Sequence, residues 1–270
     1  MDFIKKYSAI LKMGLSDATE YRFNFFTQIL LWYFPLGIQI LLWSVVYKNS
    51  GSTTIVGYSL SAMITYYIIA MIVNELVKTE GIEWTVISDI RDGFLQRYLV
   101  QPVDFILFKL VYVFSKKLVV IICIIINLIP MALFFRDFIQ LPEFSQNILY
   151  FIVSLILALI IFYFIQTTIA MLSFWFTEFA SIFHFIPFIY SILNGSAFPL
   201  NILPGWIHTL LSYTPFYYMV YFPTQLLAGN LDNAAIAKGL TVETIWLLIC
   251  LLLCKFVWNK GIKEFSATGG

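Results

Sequence analysis

The sequence predicts an all-α polytopic membrane protein with six transmembrane helices. Three observations lead to this fold class. Hydrophobic residues make up 61% of the 270 residues and charged residues only 11%, whereas soluble domains contain about 45–50% apolar and about 25% charged residues. Apolar runs long enough to cross the ~30 Å hydrocarbon core of a bilayer recur along the chain. Lysine and arginine concentrate in the segments between alternate runs.

The chain begins with an amphipathic segment, residues 2–19, in which Phe3, Tyr7, Ile10 and Gly14 share one helical face. We expect this helix to lie in the membrane interface, with lipid against its apolar side. The six spans follow, each an apolar stretch bounded by charged or turn-forming residues. They cover approximately residues 25–47, 58–77, 118–135, 148–175, 181–198 and 244–258.

Two further segments differ from simple spans. Residues 86–102 belong to a long charged stretch, and each ionised group at mid-bilayer would cost about 2.5–3.5 kcal/mol. Residues 199–229 contain four prolines among many aromatic residues. Backbone groups freed by proline cannot face lipid, so we expect a re-entrant helical hairpin between the fifth and sixth spans.

The distribution of positive charge orients the chain. With both termini in the cytosol, thirteen of the sixteen lysines and arginines lie in inner segments, and only Lys48, Arg136 and Lys238 lie outside. This bias follows the positive-inside rule and favours an even number of spans. The sequence therefore predicts that the 86–102 region is cytosolic and that the hairpin is extracellular.

The sequence indicates no catalytic or metal site. It has no GxxxxGK[ST] phosphate loop, and its three cysteines show no metal-ligand spacing. Asp89, Asp92, Gly93 and Arg97 resemble the start of the magnesium site of membrane CDP-alcohol phosphotransferases, but the further aspartates of that site are missing. A net charge of +1 without a block of like charges gives no indication of nucleic-acid binding. A phosphotransferase is therefore the less favoured alternative.

The energy source that a transporter needs limits the remaining functional classes. We expect no ionisable residue near the middle of a span, which disfavours an ion-coupled secondary transporter without excluding it. Ile87, Ile90, Phe94 and Tyr98 line one face of the predicted helix in the 86–102 region. This face is typical of a helix that docks on a partner protein, and a solvated helix on the membrane surface is the alternative.

Four segments occur in a specific order along the chain. They are the amphipathic start leading to Tyr21-Arg22-Phe23, the cytosolic stretch Asp89-Ile-Arg-Asp-Gly-Phe-Leu-Gln-Arg-Tyr-Leu-Val-Gln-Pro102, the series Asn194-Gly195, Phe198-Pro199-Leu200, Leu203-Pro204-Gly205-Trp206 and Pro215-Phe216-Tyr217-Tyr218, and the tail Phe265-Ser-Ala-Thr-Gly-Gly270. With these segments, the chain resembles the permease subunit of an ABC-2 type ATP-binding-cassette exporter over nearly its full length.

The resemblance implies a multi-pass permease of the bacterial cytoplasmic (inner) membrane, paired with a second permease subunit and with separate ABC ATPase subunits. ATP and magnesium would bind to the partner ATPase, and this chain would bind no cofactor. The exported substrate would be an amphipathic or hydrophobic small molecule such as a drug or toxin, which is an inference by analogy. The hairpin would supply an extracellular gate, with Trp206, Phe216, Tyr217 and Tyr218.

The resemblance also implies that the 86–102 region is the coupling helix, seated in a groove of the ATPase. In this interpretation Phe94, Leu95 and Tyr98 form the apolar anchor, because buried aromatic residues commonly dominate interface energies. Charge pairing then sets the register, and Gly93 either allows a bend or close approach or simply breaks the helix. The residues assigned to coupling are Ile90, Arg91, Asp92, Gly93, Phe94, Leu95, Arg97 and Tyr98.

Overall fold

The computed structural model describes residues 3–20, 22–79, 81–135, 147–176 and 183–265. Within these ranges every regular element is helical, apart from one isolated bridge between Ile55 and Tyr58. The all-α class is therefore confirmed for these residues. The helices are α1 (Phe3–Glu20), α2 (Arg22–Ser50), α3 (Leu60–Val77), α4 (Ile82–Arg91), α5 (Gln96–Leu99), α6 (Phe105–Phe134), α7 (Ile148–Ala170), α8 (Ile186–Leu193), α9 (Gly205–Ser212), α10 (Tyr221–Leu227) and α11 (Asn233–Glu264).

Four helical stretches of the described residues are long and apolar enough to cross a membrane, judged by length and composition. They are Leu60–Arg91, Phe105–Leu133, Ile148–Phe174 and Asn233–Glu264. At 1.5 Å per residue, the 23-residue α7 is about 35 Å long and the 18-residue α3 about 27 Å. These stretches overlap the predicted second, third, fourth and sixth spans, and they support a multi-pass membrane protein.

The first and fifth predicted spans differ from these four. The first, residues 25–47, lies within the 29-residue α2, which continues through Pro35. The described part of the fifth contains only α8, whose eight residues extend about 12 Å and cannot cross a bilayer. The expectation of one continuous helix over 181–198 is therefore wrong for residues 183–198. The chain turns at Gly195, whose φ is +83°.

Two helices begin earlier than the apolar runs indicated. The third and sixth spans were predicted to begin at residues 118 and 244, but α6 begins at Phe105 and α11 at Asn233. Aspartate caps explain both starts, because Asp104 accepts a hydrogen bond from the Leu107 amide at 2.7 Å and Asp232 accepts one from the Ala235 amide at 2.8 Å. Hydrophobic runs alone cannot reveal helix that precedes the membrane core.

Helix α7 lies at the centre of the bundle and packs against α3, α4, α10 and α11. Ala158, Ile161 and Tyr163 of α7 are fully buried, and the Tyr163 hydroxyl donates to the Ile106 carbonyl of α6 at 2.5 Å. The carboxyl end of α7 continues as a 3-10 turn, Met171–Phe174, which contacts α11. The helices next to the predicted coupling region and those next to the predicted hairpin therefore share one hydrophobic core.

Helix α1, predicted as the amphipathic segment 2–19, packs along α6. Ile10 and Gly14 are buried on its inner face. A Cβ atom at Gly14 would lie 1.8 Å from the Ser115 Oγ atom, so only glycine permits this close approach. The Tyr112 hydroxyl donates to Asp17 Oδ2 at 2.8 Å. Helix α1 is therefore fastened to the helix that follows the predicted coupling region.

Candidate functional site

The predicted coupling region, residues 86–102, is a broken helix. Helix α4 ends at Arg91, and Gly93 follows with a φ of +77°, which side chains other than glycine rarely adopt. The Leu95 amide donates to the Asp89 carbonyl at 2.7 Å and closes the turn. The four-residue α5 then begins a new helical axis. The expectation of one helix over 89–102 is therefore wrong, and the glycine acts as a break.

Three of the apolar side chains assigned to the ATPase contact face inwards. Leu95 is fully buried and Ile90 is 7% exposed. The Tyr98 ring is half-buried, with ring centroids 5.1 Å from Phe105 and 5.0 Å from Phe108. Burial, followed by the negative charge of Asp89, raises the pKa of the Tyr98 hydroxyl. Leu95 is therefore removed from the predicted anchor of Phe94, Leu95 and Tyr98, because a fully buried side chain cannot contact a partner.

A different set of side chains is available at this turn, and we call it the coupling surface. Its apolar members are Phe94 and Leu99, each 49% exposed, and Val100, 82% exposed. The charged side chains of Arg91 and Asp92 are exposed beside them. Sequence reasoning missed Leu99 and Val100, because the break at Gly93 resets the helical phase that assigns residues to faces.

A buried ion pair holds the turn from within. The Lys109 Nζ atom of α6 lies 2.5 Å from Asp89 Oδ2 of α4, and the Arg97 guanidinium lies 3.2 Å from Asp89 Oδ1. Asp89 is 4% exposed and Lys109 6% exposed. Arg97 was expected to set the register on a partner by charge pairing. In the structure its charge is engaged by Asp89, so α4, α5 and α6 are joined by one network.

A cavity of about 450 Å³ opens beside this network. Met13 of α1, Trp84 and Ser88 of α4, and Tyr112 of α6 contribute to its wall. The Lys6 ammonium of α1 donates to the Pro102 carbonyl at 3.1 Å. Helix α1 therefore touches both the cavity and the loop that ends the coupling region.

The proline-rich segment 199–229 consists of short helical pieces, including α9, α10 and 3-10 turns at Leu200–Ile202 and Phe216–Tyr218. We call it the hairpin. Of the four predicted gate residues, Trp206 is 71% exposed and stands apart from the others. Tyr217 and Tyr218 touch, with centroids 5.1 Å apart, and Phe216 contacts Tyr190 of α8.

Tyr218 is a packed residue of this hairpin. It is 4% exposed, and its hydroxyl donates to the Ser212 carbonyl at 2.9 Å. Tyr217 packs on Tyr221 with centroids 4.9 Å apart. Burial lowers the pKa of His208, whose ring contacts Tyr217 and Tyr221. These contacts give the hairpin a cohesive aromatic interior.

Helix α10 of the hairpin packs on α3, beside a cavity of about 540 Å³. Gln225 of α10 donates to the hydroxyl of Tyr58, just before α3, at 2.9 Å. The Tyr66 hydroxyl of α3 donates to the carbonyl of Gly195, just before the hairpin, at 2.6 Å. Asn201 and Tyr221 also line this cavity. The hairpin therefore lies at the amino-terminal end of α3.

Sequence reasoning missed one buried carboxyl group. Glu243, immediately before the predicted start of the sixth span at residue 244, is fully buried in α11. The Ser154 hydroxyl of α7 donates to its Oε1 atom at 3.2 Å. The spacing of Ile236, Gly239 and Glu243, which puts them on one helical face, is the sequence signal that could have found it.

Metal binding has no support in the described residues, where no three His, Cys, Asp or Glu side chains are grouped to hold an ion.

Sequence similarity to a known protein family decides which family the chain belongs to. The profile of the ABC-2 family transporter proteins matches residues 33–269, which include the coupling surface, the hairpin and α11. The chain belongs to the ABC-2 transporter family. No curated protein sequence matches it.

Membership of the ABC-2 family supports a membrane permease of an ABC transporter and implies association with ABC ATPase subunits. Helices of spanning length and apolar composition agree with a multi-pass membrane protein. The matched range begins after α1 and includes every residue assigned to coupling or to the gate. The ABC-2 assignment therefore covers the regions whose geometry bears on function.

Proposed function

We propose that this ABC-2 protein is the permease subunit of an ATP-driven exporter and forms the translocation pathway with a second permease subunit. The observation that carries the proposal is the coupling surface. Phe94, Leu99 and Val100 expose apolar area on a turn that the buried Asp89–Lys109 pair holds in place. Large exposed apolar side chains next to charged ones are typical of protein–protein contact sites.

The partner for this surface is an ABC ATPase subunit, which binds ATP and magnesium. The positive-inside bias supports a cytosolic location for the turn, where ATP is present. Arg91 and Asp92 beside the apolar patch are suited to orient the ATPase by charge, and Phe94 and Val100 to contribute most of the affinity.

The coupling surface and the hairpin lie at opposite ends of the stretch Leu60–Arg91. The turn holds α6 through Lys109, and at the opposite end the hairpin bonds Tyr58, just before α3. Helices α3 and α4 lie between these contacts and both pack on α7. This packing supports a mechanism in which ATPase movement at one end alters the hairpin at the other.

The finer assignments follow from this scheme. The protein resides in the bacterial inner membrane in contact with lipid, with six spans of which the fifth is not one continuous helix, both termini in the cytosol and the hairpin outside. Tyr217 and Tyr218 belong to the outer gate, and the substrate is an amphipathic or hydrophobic small molecule.

Glu243 favours a second candidate, ion-coupled secondary transport, because buried carboxyl groups in membrane helices often carry protons. Inverted membrane vesicles separate the two functions. Transport that stops when ATP is removed supports the ABC exporter. Transport that continues without ATP and stops when the proton gradient is collapsed supports the secondary transporter.

The ATPase contact is tested by affinity purification of the tagged chain with its native partners. Val100→Asp places a charge in the apolar patch, and a loss of about 2 kcal/mol at a central interface residue corresponds to about 30-fold in Kd. We expect the ATPase to be lost from the purified complex. Val56→Asp is the matched control, since Val56 is also exposed but precedes α3 at the opposite end. Equal ATPase recovery with both variants would contradict the proposal.

A further inference from the structure

Glu243 is a titratable group that the proposed coupling mechanism does not use. It lies inside the 32-residue α11, facing α7, and its side chain is fully buried. The Ser154 hydroxyl donates to Oε1, while the Oε2 atom has no hydrogen-bond partner among the described residues. A single neutral donor is poor compensation for a buried carboxylate, which needs a cation or several donors.

The elements packed against this part of α11 supply no such cation. Neither α7, which carries Ser154, nor α10, whose Phe222 meets Gly239, contains a charged side chain. On α11 itself, Lys238 is exposed, and no salt bridge joins Glu243 to a basic residue within the described ranges. From the hairpin, the Tyr218 phenol is the titratable group that interacts electrostatically with Glu243. Its surroundings therefore favour the neutral carboxylic acid.

A cavity of about 200 Å³ lies next to this site, between the hairpin and α11. Gly239, one helical turn before Glu243, lines the cavity together with Tyr218 and Phe222. A Cβ atom at Gly239 would lie 2.2 Å from the Phe222 ring, so the hairpin is pressed closely onto α11. Lifting the hairpin would extend this space towards Glu243 and admit water.

We propose that Glu243 is a proton-binding site, holding one proton while the hairpin is packed on α11 and releasing it to water when the hairpin lifts. The proton leaves the carboxylic acid as hydronium, and the carboxylate that remains is stabilised by water in the opened cavity. Closing the hairpin takes one proton up again. The link to hairpin opening rests on the proposed transport function, whereas the protonated state of the packed form does not.

The protonated state is tested by infrared spectroscopy on the purified full-length chain in lipid nanodiscs, without the ATPase. Wild type at neutral pH is expected to show the carbonyl stretch of a protonated carboxylic acid that is lost in Glu243→Gln. Ser154→Ala keeps the acid but removes its hydrogen bond, so the same band should move to higher frequency. A wild-type spectrum without the band, or a band that both variants leave unchanged, would overturn the proposal.

The link to the hairpin is tested by spin-label distances in a cysteine-free background. Labels replace Tyr213 of the hairpin and Ala237 of α11, both exposed. The distance is expected to lengthen as pH rises in wild type and to stay constant in Glu243→Gln. Asp232→Asn, which removes an exposed carboxylate from the same end of α11, should keep the response. A distance independent of pH in wild type, or an equal response in Glu243→Gln, would contradict the link while leaving the ATPase contact unaffected.

Discussion

At the scale of single residues, neighbouring positions of the coupling region have opposite roles. Leu95 is buried and Phe94 is 49% exposed, although both were assigned to the partner contact. Both follow the turn at Gly93, which leaves Phe94 at the surface and Leu95 in the core. The residue type alone therefore does not predict which side chains of this region are exposed, because the backbone conformation decides it.

Alanine substitution distinguishes these two roles. Leu95→Ala removes a fully buried side chain and should lower the free energy of unfolding by about 2–5 kcal/mol. Phe94→Ala should leave stability nearly unchanged but weaken ATPase recovery. Thermal unfolding of the detergent-solubilised chain measures the first effect, and co-purification measures the second. A large loss of stability with Phe94→Ala would show that its ring belongs to the core.

The Asp89–Lys109 pair has its own test. Lys109→Met leaves a buried carboxylate without its closest partner, and breaking a buried pair costs about 3–5 kcal/mol. Asp89→Asn combined with Lys109→Met removes both charges and should recover most of the thermal stability. If the single and double variants unfolded at the same temperature, the pair would contribute no coupling between α4 and α6.

At the scale of elements, the sequence predicted a helix most accurately where the apolar run and the helix have nearly the same ends. The fourth span, 148–175, matches α7 and the turn that extends it to Phe174, because the run is continuously apolar. The starts of α6 and α11 were missed because charged residues interrupt the apolar runs that follow Asp104 and Asp232. These are Lys109, Lys116 and Lys117 in α6 and Lys238 in α11. Glu243 was missed with these starts, and its burial depends on contacts with α7 that periodicity alone does not specify.

The contact between the hairpin and α11 depends on Gly239. Gly239→Ala would place a methyl group against the buried Phe222 ring, so we expect a clear fall in thermal stability and a hairpin shifted off α11. Gly37→Ala in α2 is the matched control, because no atom lies within 4 Å of the Cβ atom that it would add. Equal effects of the two substitutions on the unfolding temperature would indicate that the hairpin does not press on Gly239.

At the scale of the whole molecule, the distribution of charge predicts the orientation in the membrane, and packing connects the coupling region and the hairpin to the helices. The thirteen-to-three distribution of lysine and arginine was readable from sequence. The polar links from the hairpin to Tyr58, from Gly195 to Tyr66, and from the coupling region to Lys109 were not, because they join residues far apart in the chain. Arg136, which the sequence predicts outside, and residues 266–270, which it predicts inside, are not among the described residues.

The orientation is tested by cysteine labelling of intact cells in a background lacking Cys123, Cys250 and Cys254. Ser52→Cys follows α2 and should react with a membrane-impermeant maleimide from outside. Gln96→Cys in α5 should react only after the membrane is permeabilised. Both side chains are exposed, so burial does not hinder either reaction. The reverse pattern would place the coupling surface outside and reject the proposed mechanism.

Whether an ATPase subunit binds the coupling surface is tested most directly by photo-crosslinking in the assembled native complex. Val100 is replaced by p-benzoyl-phenylalanine, with the same replacement at Val56 as the control. Illumination should join position 100, and not position 56, to an ABC ATPase subunit identified by mass spectrometry. An ATPase adduct at position 56, or none at position 100 in a complex that still contains the ATPase, would contradict the coupling-surface assignment.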